Sequence, residues 1–205
     1  MKFWKLVSVI TTLILSTSVN AALIDNDTYT TDDVSGLDWL DLSATGGIAY
    51  NSVLSLNPGW RYATYDEMSI LYSTLFEGIY DTGTGTGVSD GNASHYDDQW
   101  VDANKHIDLF GVTYVNTPAT FYVSYGWYMH SDGTLRTGGA NVSVDTGNSL
   151  IYFAHDTDYS QFIDTGYSTY GTYLVRTSVV PLPAAVWLFG AGLIGLIGVA
   201  RRKKS

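Results

Sequence analysis

The chain has 205 residues, with 20 acidic side chains against 10 basic ones, and no cysteine. The missing cysteine excludes disulfides, thiol nucleophiles and cysteine-based zinc or redox motifs together. All 20 acids lie between residues 22 and 178, where only Arg61, Lys105, Arg136 and Arg176 oppose them, so that body carries a formal charge of −16. Such a charge excludes nucleic acid and anionic lipid as partners and suits solubility or cation binding.

Residues 1–21 read as a secretory signal peptide. Lys2 and Lys5 form a positive start, Leu6 to Leu15 a mostly apolar run, and Val19-Asn20-Ala21 a small-residue cleavage site. Cleavage is expected after Ala21, with Ala22 as the second choice. Export then runs through the Sec translocon. The body, 22–178, has a length suited to one domain.

Residues 25–36 are polar and read as a lead-in or edge strand, and Gly36 to Leu42 as a short strand. Ile48 to Leu56 reads as a short helix with Ile48, Val53 and Leu56 inward, ended by the turn signal Asn57-Pro58-Gly59. Thr64-Tyr65-Asp66-Glu67 is a capping box. Met68, Leu71, Tyr72, Leu75 and Phe76 follow at helical spacing, which predicts a helix over 65–77. Asp81 to Asn92 reads as a glycine-rich loop. A second clear helix is predicted over 96–109, with Trp100, Ala103, Ile107 and Phe110 as its apolar stripe and Gly111 as its stop. Strands are predicted at 112–115, 119–124, 126–130, 134–136, 141–144, 149–154 and 171–177, with Asp132-Gly133 as a hairpin turn. Helices in front and strands behind predict a single α+β domain with two main helices and antiparallel strands.

His95, Asp98, Asp102 and His106 lie on one side of the second helix and have the chemistry of zinc or manganese ligands. Only near neighbours among them can share an ion, so they are expected to form a solvated polar face opposite the apolar stripe. Asp90-Gly91-Asn92, with Asp97 and Asp98 nearby, offers oxygens to calcium but lacks the full spacing of an EF-hand loop. Calcium is therefore the one cofactor left open. There is no Gly-x-Ser-x-Gly elbow, no His-Glu-x-x-His and no phosphate loop. The body is expected to be non-enzymatic. A carbohydrate- or calcium-binding module and a polysaccharide hydrolase using two of the carboxylates are the alternatives.

The chain ends in Val180-Pro181-Leu182-Pro183, the uncharged stretch Ala184 to Ala200, and Arg201-Arg202-Lys203-Lys204-Ser205. An apolar span with a basic end predicts a transmembrane helix over 184–200 with its C-terminus in the cytoplasm. Residues 179–205 resemble the PEP-CTERM sorting tail of Gram-negative bacteria, with Leu182 where the family name has glutamate. That resemblance implies an inner-membrane precursor, an exosortase-type processing enzyme as partner, and a surface or secreted product tied to exopolysaccharide or biofilm. Three segments of the body add a fainter likeness. Ser35-Gly36-Leu37-Asp38-Trp39, Trp60 to Met68, and Tyr173-Leu174-Val175-Arg176 resemble the Lcl-type adhesin domain. This likeness implies a C-type-lectin-like fold and an extracellular polysaccharide as ligand.

Overall fold

The computed structural model describes residues 23–76, 98–153 and 158–179. The signal peptide 1–21 with Ala21 and Ala22, the motif Val180 to Pro183, the predicted helix 184–200 and the basic residues Arg201 to Lys204 lie outside them. In chain order the elements are β1 (Leu23–Asp25), β2 (Tyr29–Asp32), β3 (Leu37–Leu40), a 3-10 turn (Leu42–Thr45), α1 (Tyr50–Leu56), β4 (Arg61–Tyr62), α2 (Tyr65–Leu75) and α3 (Asp98–Phe110). Then follow β5 (Tyr114–Val115), β6 (Phe121–Met129), β7 (Leu135–Ser143), β8 (Asn148–Tyr152), a second 3-10 turn (Ser160–Phe162), β9 (Tyr170–Thr172) and β10 (Leu174–Thr177).

Among the described residues the strands form two sheets. The first runs β1-β2-β3-β10-β4 and is antiparallel throughout. The second runs β5-β6-β7-β8, and β9 joins β6 beyond the end of β5. The β6–β9 pair is parallel, so the expected purely antiparallel arrangement is corrected there. The last predicted strand, 171–177, is divided between the sheets. Tyr173 is the crossing point: its N–H donates to Trp127 O in the second sheet at 3.0 Å, and its C=O accepts from Ala63 N beside the first at 3.0 Å.

Among the described residues there are three α-helices rather than two main ones, because Tyr50–Leu56 also forms a full element. Its inward residues are Tyr50 and Val53; Leu56 is exposed, since the helix ends there and Asn57 turns the chain away. The helix at Tyr65 starts as the sequence requires. Glu67 N donates to Thr64 Oγ1 at 3.3 Å, and Thr64 N donates to Glu67 Oε2 at 2.9 Å. The last helix stops at Gly111, whose φ of 74° lies in the left-handed region that glycine adopts freely.

Two pairs of predicted strands fuse into β6 and β7, nine residues each. Gly126 and Gly138 sit opposite each other in this pairing. Gly126 opens one predicted strand and Gly138 falls between two others, but both are places of close approach in the fold. A Cβ at Gly126 would lie 2.6 Å from both Leu42 Cδ2 and Tyr173 Cε2, and one at Gly138 would lie 2.8 Å from Tyr72 Oη.

One face of each sheet meets the two longer helices in a common core. Trp39 and Val175 come from the first sheet, Met68, Leu71 and Tyr72 from α2, Ala103, Ile107 and Phe110 from α3, and Tyr128, Ala140 and Ile151 from the second sheet. The outer face of the second sheet is covered separately, where Trp127 and Leu135 pack with Tyr50, Tyr159, Ile163 and Tyr170. No helix among the described residues is long and apolar enough to cross a membrane.

Candidate functional site

The register of the first sheet places Ile24, Thr31, Asp38 and Arg176 side by side on β1, β2, β3 and β10. Residues directly opposite share a face, so this row forms the outer surface of the sheet near its end. Asp38 is buried at 3 % exposure and accepts from Thr31 Oγ1 at 2.8 Å and Arg176 Nε at 3.0 Å. Burial pushes its carboxyl up, but hydrogen bonds from Thr31, Ser178 and Arg176, with the Arg176 charge, outweigh this and hold it below the ordinary carboxylate value. The Arg176 guanidinium lies over two rings, with its carbon 4.4 Å from the Trp60 centroid and 4.8 Å from that of Tyr29.

An open cleft of about 280 Å³ adjoins this clamp, lined by Ile24, Tyr29, Asp38, Arg176, Ser178 and Val179 among others. Ser178 is fixed at its mouth by its N–H, which donates to Gly36 O at 2.8 Å. Val179 follows, 91 % exposed, as the last described residue. Neither the acid–base clamp nor the cleft was foreseen from sequence. The only available signal was the pairing of Asp38 in the Ser35–Trp39 segment with Arg176 in the closing segment, and this needs the strand register to be seen.

His106 departs from its expected place on a solvated face. It is fully buried, with Nε2 at 3.0 Å from Tyr173 Oη, which lies 2.8 Å from Tyr72 Oη. Phe110 stacks on the imidazole at 4.9 Å, and Phe76 flanks it. The physical reason lies in helix geometry: 103, 106, 107 and 110 share one face, so His106 belongs to the apolar stripe itself. Burial pushes its pKa down to about 3, which keeps it neutral, and raises the Tyr173 phenol well above its ordinary value. Its Nδ1 has no hydrogen-bond partner among the described residues. Asp102 is half-buried on α3. His95, Asp90, Asn92 and Asp97 lie outside the described residues, and only the backbone of Asp98 is described. Among the described residues no three His, Asp or Glu side chains gather to hold a metal ion.

A second residue passed over in the sequence is Asp41. It is 9 % exposed, and its Oδ1 has no hydrogen-bond partner among the described residues. Burial first, then the charges of Asp25 and Asp27, push its carboxyl up to about 6.

No curated protein and no solved structure matches the chain, so the lectin-like resemblance of the body stands without support from either comparison. A family model for the PEP-CTERM protein-sorting motif matches residues 179–204. Its first residue is Val179, the exposed residue that lines the cleft. From Val179 onward, therefore, the chain carries a PEP-CTERM protein-sorting motif.

Proposed function

We propose that this chain is an exported, non-enzymatic protein of the cell envelope or extracellular matrix, cut from its membrane tail by an exosortase-type enzyme and associated with exopolysaccharide or biofilm. The observation that carries this reading is the sorting motif at 179–204, placed directly after the last strand of a folded body. The acidic body supports it, since a body of formal charge −16 favours solubility once released and is repelled from anionic membrane. The rings beside the cleft do not favour a sugar platform: the guanidinium of Arg176 already occupies a face of Tyr29 and of Trp60.

Intact-mass measurement of the protein from its native host, with membrane and medium fractions kept apart, tests the reading. The expected species begins near Ala22 and ends close to Pro181, outside the membrane. A single membrane-bound species ending at Ser205 overturns it and leaves the tail as a plain anchor.

A further inference from the structure

We propose that the cleft beside Arg176 is a binding site for the carboxylate of a small sugar acid, taken by the free edge of the guanidinium. The site belongs to the folded body alone and is independent of how the tail is processed.

A guanidinium is a planar fork of five N–H donors. Arg176 gives Nε to Asp38 Oδ2 at 3.0 Å, and no acceptor among the described residues meets its Nη1 or Nη2. The other arginines of the body are engaged differently. Arg61 gives both Nη groups to Glu67, at 2.8 and 2.6 Å, and Arg136 gives Nη2 to Asp132 at 2.7 Å. Among the described residues of a body with 20 acids, none is placed against the outer edge of Arg176, although its side chain is 39 % exposed.

That edge is also held still. Asp38 fixes Nε from the neighbouring strand, in a buried position where Thr31 and Ser178 complete its hydrogen bonds. Tyr29 and Trp60 meet the guanidinium at 4.8 and 4.4 Å and meet each other edge to face at 6.4 Å, so the two rings form a corner around it. A fork fixed in advance loses little freedom when a carboxylate closes on it.

The rest of the cleft sets the size and kind of ligand. Its volume of about 280 Å³ is at the lower end for a small-molecule site. Asn26 lines it, with its amide donating to Ile24 O and Thr31 Oγ1, both at 3.0 Å, which leaves Oδ1 as an acceptor. Ile24 and Val179 supply an apolar wall. Donors for a carboxylate, an acceptor for a hydroxyl and one apolar wall match a hydroxylated acid the size of one sugar. Recognition runs through the carboxylate and not through ring stacking, because the guanidinium already occupies the ring faces. Asp38 balances the charge of Arg176 and the body carries −16, so a single charge is accepted and a densely charged polymer is repelled.

The full-length protein in detergent would be titrated with galacturonate, with binding read by saturation-transfer NMR on the ligand. Binding of about millimolar strength is expected for a ligand of this size. Galactose, which lacks the carboxylate, and acetate, which lacks the ring, are each expected to bind about tenfold more weakly. Arg176→Lys keeps a cation for Asp38 but removes the fork, and is expected to weaken binding about tenfold with little change in the thermal midpoint. Ile24→Trp fills the cleft from an exposed position, leaves the clamp intact and is expected to abolish the signal. The methyl glycoside of galacturonate, blocked at its anomeric carbon as a polymer residue is, separates the two sources of the group. Equal binding assigns the site to a sugar-acid residue of a polysaccharide, and weaker binding assigns it to the free acid. No signal at about 20 mM galacturonate, equal binding of galactose or acetate, or full binding by both variants overturns the site.

Discussion

Replacing Asp41 by asparagine should make the protein more stable at neutral pH. Asp41 is an ionisable group placed where the fold disfavours its charge. It is 9 % exposed, one carboxylate oxygen is unpartnered among the described residues, and Asp25 and Asp27 add like charge. The rise from 3.8 to about 6 has a definite sign. The folded state holds the proton more tightly than the unfolded state, so stability grows as pH falls from about 6 towards 3.8 and is lowest above 6. The full displacement corresponds to about 3 kcal/mol. Asp25 and Asp27 are exposed, and solvent screens their part, so about 1–2 kcal/mol is the expected gain for Asp41→Asn at pH 7.5. The gain should fade as pH is lowered through 6 and be nearly gone at pH 4. Urea unfolding of the variant and the parent, followed by the fluorescence of buried Trp39 and Trp127, reads this difference at each pH. Taking the difference removes the other carboxylates, notably Glu67, which hydrogen bonds from Arg61 hold down at about 2 against the opposing effect of burial. A stability difference that stays constant between pH 7.5 and 4, or a loss at pH 7.5, would refute the reasoning.

Three further substitutions probe the packing that places β10. Tyr173→Phe keeps the ring against Trp39 but removes the hydroxyl shared by His106 and Tyr72, and should cost about 1–3 kcal/mol in thermal unfolding. Gly126→Ala puts a methyl 2.6 Å from Leu42 and Tyr173 and should cost about 1–3 kcal/mol in urea titrations; a neutral result would mean that the β6 backbone shifts easily. Thr64→Ala removes the acceptor for Glu67 N and should cost about 1 kcal/mol, seen as a lower urea midpoint with an unchanged slope.

The α2 helix was legible because its start is a local chemical event. Thr64 and Glu67 satisfy each other's backbone donors within four residues, and no distant partner is needed. Gly111 and the Asp132-Gly133 turn were legible for the same reason, as positive-φ positions that glycine marks. His106 was misjudged because polarity was weighed above position: at helical spacing it lies with Ala103, Ile107 and Phe110, and its Nε2 is satisfied by Tyr173, 67 residues away. Gly138 and Gly139 fell between two predicted strands, since sequence cannot tell a glycine that bends a strand from one that admits a neighbour's ring. The clamp of Asp38 and Arg176 was hidden by a separation of 138 residues. The sorting motif was legible in full because its parts are contiguous and ordered.

The placement of the tail root follows from where β10 sits. β10 is an inner strand, held by β3 on one side and β4 on the other, and it continues without a linker into Ser178 and Val179. Upstream it is joined through Tyr173 to β9 in the second sheet, and the Tyr173 side chain enters the core between α2, α3 and Trp39. A pull on the tail along β10 therefore loads the ladder bonds to both neighbours together, and then a buried aromatic ring. An edge strand in the same position would be held by one ladder only. A protein held in a membrane by its C-terminus and later released from it needs its body to stay folded up to the residue where it is cut. Placing the last strand inside the sheet, with the Asp38–Arg176 clamp at its end, meets that need and leaves Val179 free.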